Sequence, residues 1–324
     1  MVLLVAPSTL TDAEAVGART FELRGLVLQA SGERLRGVAP IVFLQDTATP
    51  FVAQTRAGLN GKFRFKNVQP GLYVLIIAVA RWGEMQQTIE IGPSSVAVGR
   101  RIEQTFYFKP SLSNKEVQTV SVNRLSVSRK AVREYRKARN RLSTRDVAGA
   151  IQYLEKAVML SPQFSEAWNQ LGTIAYRSQD LEKAESYFRE ALRQEPGSYT
   201  PLVNLGGALL SQGKIQESLP LNQQAVKLRP DDPLAHAQLG YNYFLLQQNE
   251  GAEKHLKQAK TLDLKHFSTP RLVLAELYSQ RRNLAAELAE LEEFLKFHPD
   301  SDLVPDIINK VEQIRRSIQS RIDP

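Results

Sequence analysis

Two hydrophobic periodicities divide the chain. Between Thr20 and Pro110 apolar runs of about 5–9 residues are separated by Gly, Pro, Asn and Asp, the spacing of short strands. Phe63 and Phe65 alternate with Lys62, Arg64 and Lys66, which gives one buried and one wet face. Strands are predicted near 20–29, 38–45, 51–56, 62–68, 72–80, 85–91 and 101–108. Asn60-Gly61 reads as a hairpin turn, because both residues tolerate positive φ. Pro70-Gly71 punctuates the next connection. Seven short strands with frequent turns predict an antiparallel β-sandwich.

The run Leu72 to Ala80 does not alternate, and Ile41-Val42-Phe43-Leu44 repeats the feature. In a two-layer sandwich one face of each sheet normally meets water. An apolar outer face on 72–80 therefore predicts a cover, either the following linker or the first helices.

From Ser128 onward the period becomes helical and a 34-residue repeat takes over. Trp168, Leu171, Gly172, Ala184, Phe188, Ala191 and Pro196 recur as Leu205, Gly206, Ser218, Ala225 and Pro230, and again as Leu239, Gly240, Tyr243, Ala252, Leu256 and Ala259. One repeat earlier stand Ala138, Ala150, Leu154, Ala157 and Pro162. The pattern is identified as the tetratricopeptide repeat. Five units are expected over 128–301, at 131–164, 165–198, 199–232, 233–266 and about 267–301, each two antiparallel helices stacked on its neighbours. Residues 302–324 read as a capping helix, and 111–127 as a linker in which 117–122 could pair as an edge strand. Pro220 inside a second helix predicts a bend. Leu264, standing where other units have Pro, predicts a helix running on into Lys265. The fold class is thus multidomain, all-β then all-α: an antiparallel sandwich followed by an α-helical solenoid.

The first half carries its own resemblance. Leu23-Arg24-Gly25-Leu26-Val27, Ala39 to Leu44, and Asn60-Gly61-Lys62-Phe63-Arg64-Phe65 followed by Val68-Gln69-Pro70-Gly71-Leu72-Tyr73-Val74-Leu75 resemble the carboxypeptidase regulatory-like domain, a transthyretin-like sandwich, over residues 20–110. Gly58-Leu59 stands where that family usually shows Asp, which argues against a cation at this loop. A zinc peptidase needs His and carboxylate ligands at set spacing. His236, His255, His266 and His298 do not supply it.

Composition narrows the function. The chain has 324 residues, 43% apolar and 23% charged, enough for packed cores in about two domains. It has no cysteine, which removes disulfides, thiolate metal sites and Cys nucleophiles. No apolar run reaches the ~18–20 residues of a membrane span. The net charge of +8 is uneven. Residues 1–130 hold 16 basic and 9 acidic side chains, whereas 146–324 are mildly acidic. This distribution is not the concentrated stripe expected of a nucleic-acid binder. Residues 1–19 read either as a tail or as the remnant of a signal peptide of an exported bacterial protein, since Val2 to Ala6 is apolar but no Lys or Arg precedes it.

No phosphate loop or nucleophile elbow is present. Glu292-Glu293 and Asp231-Asp232 are adjacent carboxylates that do not share a helix face. The expectation is a non-enzymatic scaffold without cofactor or metal, binding a protein or peptide in the concave groove. In tetratricopeptide arrays the first helix of each unit lines the concave surface, and on that resemblance helical spacing assigns to the groove Asn169, Thr173, Tyr176 and Arg177, then Val203, Asn204 and Leu210, then Tyr241, Phe244 and Leu245. Phe244 and Leu245 could instead pack against the following unit. The lack of Lys on this face argues against gripping an acidic C-terminus and for an apolar-anchored segment. The alternative is a carbohydrate-binding surface or exported protein using the sandwich, with Trp82 either stacking on a sugar ring or capping the sandwich core.

Overall fold

The computed structural model describes residues 20–35, 37–80, 82–95, 100–109, 126–266 and 269–322. The expected edge strand at 117–122 and the reading of residues 1–19 lie outside them. Seven strands form the first domain: β1 (Phe21–Gln29), β2 (Ile41–Asp46), β3 (Val52–Arg56), β4 (Lys62–Val68), β5 (Gly71–Val79), β6 (Gly83–Ile91) and β7 (Arg101–Phe108). They make two sheets, ordered β4-β1-β7 and β3-β2-β5-β6. The pairings are antiparallel except β1 with β7, which run parallel from Glu22 beside Arg101 to Gln29 beside Phe108. Strict alternation turns Leu23, Val27, Phe63, Phe65, Leu75, Ile77 and Phe106 inward to one core.

Asn60-Gly61 is not a two-residue hairpin. β3 and β4 belong to different sheets, so the turn carries the chain across the sandwich. Gly61 has φ 79°, and a Cβ there would strike the Val27 carbonyl. The glycine is needed for close passage as well as for its dihedral.

The second domain is five helix pairs and a cap: α1 (Arg129–Ser143) and α2 (Val147–Leu160), α3 (Ser165–Arg177) and α4 (Leu181–Gln194), α5 (Tyr199–Ser211) and α6 (Ile215–Leu228), α7 (Pro233–Leu245) and α8 (Asn249–Leu262), α9 (Pro270–Gln280) and α10 (Leu284–Phe297), then α11 (Val304–Ile322). Short polar side chains start several helices by accepting free N–H groups. Ser128, Asp146, Asp180, Asp232 and Asn283 do so, with Pro233 in the first turn after Asp232. Gly172 and Gly240 back onto Phe188 and Leu256, where a Cβ would collide. α11 closes the last unit by setting Ile307, Val311 and Ile314 against Leu291 and Phe294. Lys310 adds an ion pair at 2.9 Å to the buried Glu287.

One local expectation needs correction. α8 stops at Leu262 rather than continuing into Lys265, because Asp263 folds back to accept the Lys265 N–H at 3.2 Å. α6 passes through Pro220 as one helix. Its Ile215 carbonyl accepts from Ser218 Oγ at 2.9 Å and from Asn242 Nδ2 at 3.2 Å.

Candidate functional site

The position expected to face the groove recurs every 34 residues, as Arg139, Thr173, Gly207 and Tyr241. Arg139 identifies what lies on that face. Its guanidinium sits 5.3 Å above the Phe43 ring and donates to Gln54 Oε1 at 2.5 Å. Phe43 and Gln54 are on the outward side of the β3-β2-β5-β6 sheet. In register, Gln54 lies beside Phe43, Phe43 beside Ile76, and Ile76 beside Gln86. At the far end of this row Gln86 Nε2 donates to Asp232 Oδ2 at 2.8 Å. A single cross-strand row is therefore held at one end by unit 1 and at the other by the start of unit 4. The sheet reaches from the first helix of unit 1 to the turn that opens unit 4, and this is the cover that the apolar outer face of β5 requires. The first helix supplies one edge of it, and the turns between later units supply the other.

The first edge centres on the β2–β3 loop. Asp46 is buried and accepts the Ala48 and Thr49 N–H groups at 2.9 and 3.1 Å and the Thr49 hydroxyl at 2.8 Å. Arg145 lies 3.6 Å from Asp46, donates to Thr49 Oγ1 at 3.1 Å and rests 4.5 Å above the Phe51 ring. Arg177 donates to the Thr49 carbonyl, and its desolvation pulls the guanidinium down to about 10. The second edge is a ladder along β6. Arg229 pairs with Glu84 at 3.0 Å, Asp232 holds Gln86, Asp263 Oδ2 accepts the Thr88 N–H at 2.8 Å, and Glu90 accepts the Asp300 N–H at 3.2 Å. The turns after units 3, 4 and 5 thus meet alternate residues of one strand, the first turn holding two of them.

The expected groove residues divide into three groups. Asn204 Nδ2 donates to Asn169 Oδ1 at 3.0 Å, Thr173 bonds the Asn169 carbonyl, and Tyr176 shares a hydrogen bond with Ser211 at 2.9 Å. These form a polar row linking units 2 and 3. Val203 and Leu210 are buried, Val203 with Leu202, Ala225 and Ala235. Phe244 is 7% exposed and packs with Leu274, Leu277 and Tyr278 of the next unit, so it supports the groove floor instead of lining it. Tyr241 stacks on it at 6.3 Å and stays half-buried, and Leu245 is 37% exposed. Trp82 lies in the turn after β5 with its ring 6.4 Å from Phe108.

The histidines are structural in their contacts. His236 and His255 share a hydrogen bond between Nδ1 atoms at 2.9 Å and stack at 5.1 Å, and His236 Nε2 meets the Pro230 carbonyl. Burial pushes His255 down to about 4, with the neighbouring His236 adding to it. Among the described residues no group of three or more His, Asp or Glu side chains converges as metal ligands.

Sequence reasoning missed the interface residues Asp232, Asp263, Asp300 and Arg145, which look like ordinary turn residues. The available signal was the unalternating β5, which predicted a cover by the linker or the first helices; α1 supplies one edge of it, and the later turns were not foreseen.

The helical array is a tetratricopeptide-repeat solenoid. The family model that matches residues 138–296 is described as the Cilia and flagella-associated protein 70 middle TPR-like domain. The chain is 24% identical over 173 residues to the anaphase-promoting complex subunit 3 of Schizosaccharomyces pombe, covering 53% of this chain and 26% of that protein. It is 25% identical over 150 residues to the anaphase-promoting complex subunit CDC16 of Saccharomyces cerevisiae, covering 46% and 18%. A solved structure of MamA from Desulfovibrio magneticus is similar at 19% identity and a TM-score of 0.49, covering 55% of this chain and 99% of that one. The matched stretches span well under half of the two yeast proteins.

Proposed function

We propose that this chain is a non-enzymatic interaction scaffold. Its array receives an extended or helical segment with apolar anchors on the concave face, and its sandwich is a docking module of the carboxypeptidase regulatory-like type. The observation that carries this reading is the unequal occupation of the groove. Units 1 and 2 spend Arg139, Arg145 and Arg177 on the sandwich, while in unit 4 the stacked Tyr241 and the exposed Leu245 remain at the surface. An aromatic beside an exposed leucine, with the amides Asn169 and Asn204 further along, offers apolar anchor contacts and backbone hydrogen bonding to one segment. That two similar proteins are subunits of a multi-subunit complex fits the same role.

The test is capture of a partner by the full chain and by Tyr241→Ala with Leu245→Ala. Loss of capture with an unchanged helical melting temperature supports the groove. Unchanged capture removes this face from the mechanism.

A further inference from the structure

The contact between sandwich and array differs in kind from the packing inside either domain. Every apolar core cluster formed by the described residues lies wholly in the sandwich or wholly in the array. Between the domains the described bonds are polar: Arg139 to Gln54, Arg145 to Thr49 and Asp46, Arg177 to Thr49, Arg229 to Glu84, Asp232 to Gln86, Asp263 to Thr88, and Asp300 to Glu90. The apolar residues on the outward side of the sheet, Phe43, Val74 and Ile76, are only half-buried. Water can replace such bonds when the surfaces part, and interfaces of this type inside a chain permit relative domain motion. An apolar core could not part so cheaply.

We propose that the sandwich is a displaceable lid on the array, so that the chain regulates how far a segment anchored at the exposed Tyr241 and Leu245 can extend along the groove toward units 1 and 2. This rests on the groove reading above. Two polar edges hold it closed, the pair Arg145 and Arg177 on the Asp46–Thr49 loop and the ladder along β6. The occupant also defines the chemistry that replaces it. Along β6 the turns between units accept a side-chain amide at Gln86 and a backbone N–H at Thr88, two residues apart. A competitor for this edge is an extended segment presenting amide donors at alternate positions, aimed at Asp232 and Asp263.

The absence of native cysteine makes the lid directly measurable. Leu59 in the sandwich is 70% exposed and Met159 in the array is 79% exposed, and neither takes part in the described bonds between the domains. The full chain carrying Leu59→Cys and Met159→Cys, labelled with a donor and acceptor dye, should show one distance population at low salt. In about 1 M potassium chloride, where screening acts within roughly 3 Å, a different and broader population should become the major one. Arg145→Ala with Arg177→Ala should produce the same change at low salt, and Arg145→Lys, which keeps charge but loses the fork and the stacking on Phe51, a partial one. Far-UV circular dichroism should stay unchanged throughout. One unaltered distance in every condition would overturn the lid, as would a distance change seen only together with loss of helical signal. Failure of the groove reading is separate, since Tyr241→Ala alters capture without altering these distances.

Discussion

The backbone N–H of Thr88 donates to the carboxylate of Asp263 at 2.8 Å, joining an edge strand of the sandwich to a turn 175 residues later. Both residues are nearly dry, at 2% and 6% exposure. An edge strand presents unpaired N–H groups that a fold must cover, and here the array supplies the acceptor. Asp263→Ala should strand that donor and cost ~1–3 kcal/mol. Asp263→Asn keeps an acceptor oxygen and should recover most of the loss. Burial already raises the Asp263 pKa, so a neutral side chain is no penalty there. Amide exchange of Thr88 checks this: fast in the alanine variant, slow in the asparagine variant.

The array's architecture was legible because its packing repeats. Gly172 and Gly240, each facing a large side chain, state the helix approach in sequence. The seven strands were legible from short apolar runs bounded by Gly, Pro, Asn and Asp, with alternation visible at Phe63 and Phe65 but not along 72–80. The topology of the sheets was not, because Asn60-Gly61 looks the same whether it closes a hairpin or crosses between sheets. The docked arrangement was hidden for a different reason. Arg139, Asp232 and Asp263 have the residue types of solvated helix and turn positions, and only the register of a distant sheet gives them partners.

Unit 3 contains a departure that makes a stability prediction. Asn222 stands where units 2 and 4 have Phe188 and Leu256. It is fully buried, donates to Asn242 Oδ1 at 2.5 Å, and leaves its own Oδ1 without a partner. Asn242 in turn donates to Ser218 at 2.6 Å. A partly satisfied polar network is weaker than an apolar core. Asn222→Leu alone should destabilise, because it strands the buried Asn242 Oδ1, while Asn242 Nδ2 keeps Ser218 and the Ile215 carbonyl. Asn222→Leu with Asn242→Ala, the residue type at the equivalent Ala208, should exceed the native melting temperature. If the single variant is already the more stable, the network is not what holds Asn242.

Acid should loosen the C-terminal units first. Burial holds His298 down to about 4 and His266 to about 3, with Arg271 and Lys265 acting further on His298 and His298 on His266. The ordinary histidine value is 6.5, so the unfolded chain binds more protons below it. Stability is therefore full above about 6.5 and falls as pH drops toward the folded values. His298→Gln should flatten the dependence of melting temperature on pH between 6.5 and 4. An unchanged slope would mean His298 titrates normally.

The array should also transmit damage by distance along the stack. Leu205 is 2% exposed and packs with Ala175, Ala184, Phe188, Ala208 and Leu209, side chains drawn from units 2 and 3. Leu205→Ala removes contacts on both sides of that boundary and should cost ~2–5 kcal/mol as a cavity. In a stacked array each unit is stabilised by its neighbours, so amide exchange should accelerate in α3 to α6 before α9 to α11. The sandwich has its own core around Leu23, Phe63 and Leu75, so its inner strands should keep their protection. Uniform acceleration through array and sandwich alike would show that the docked sheet and the helices unfold as one unit.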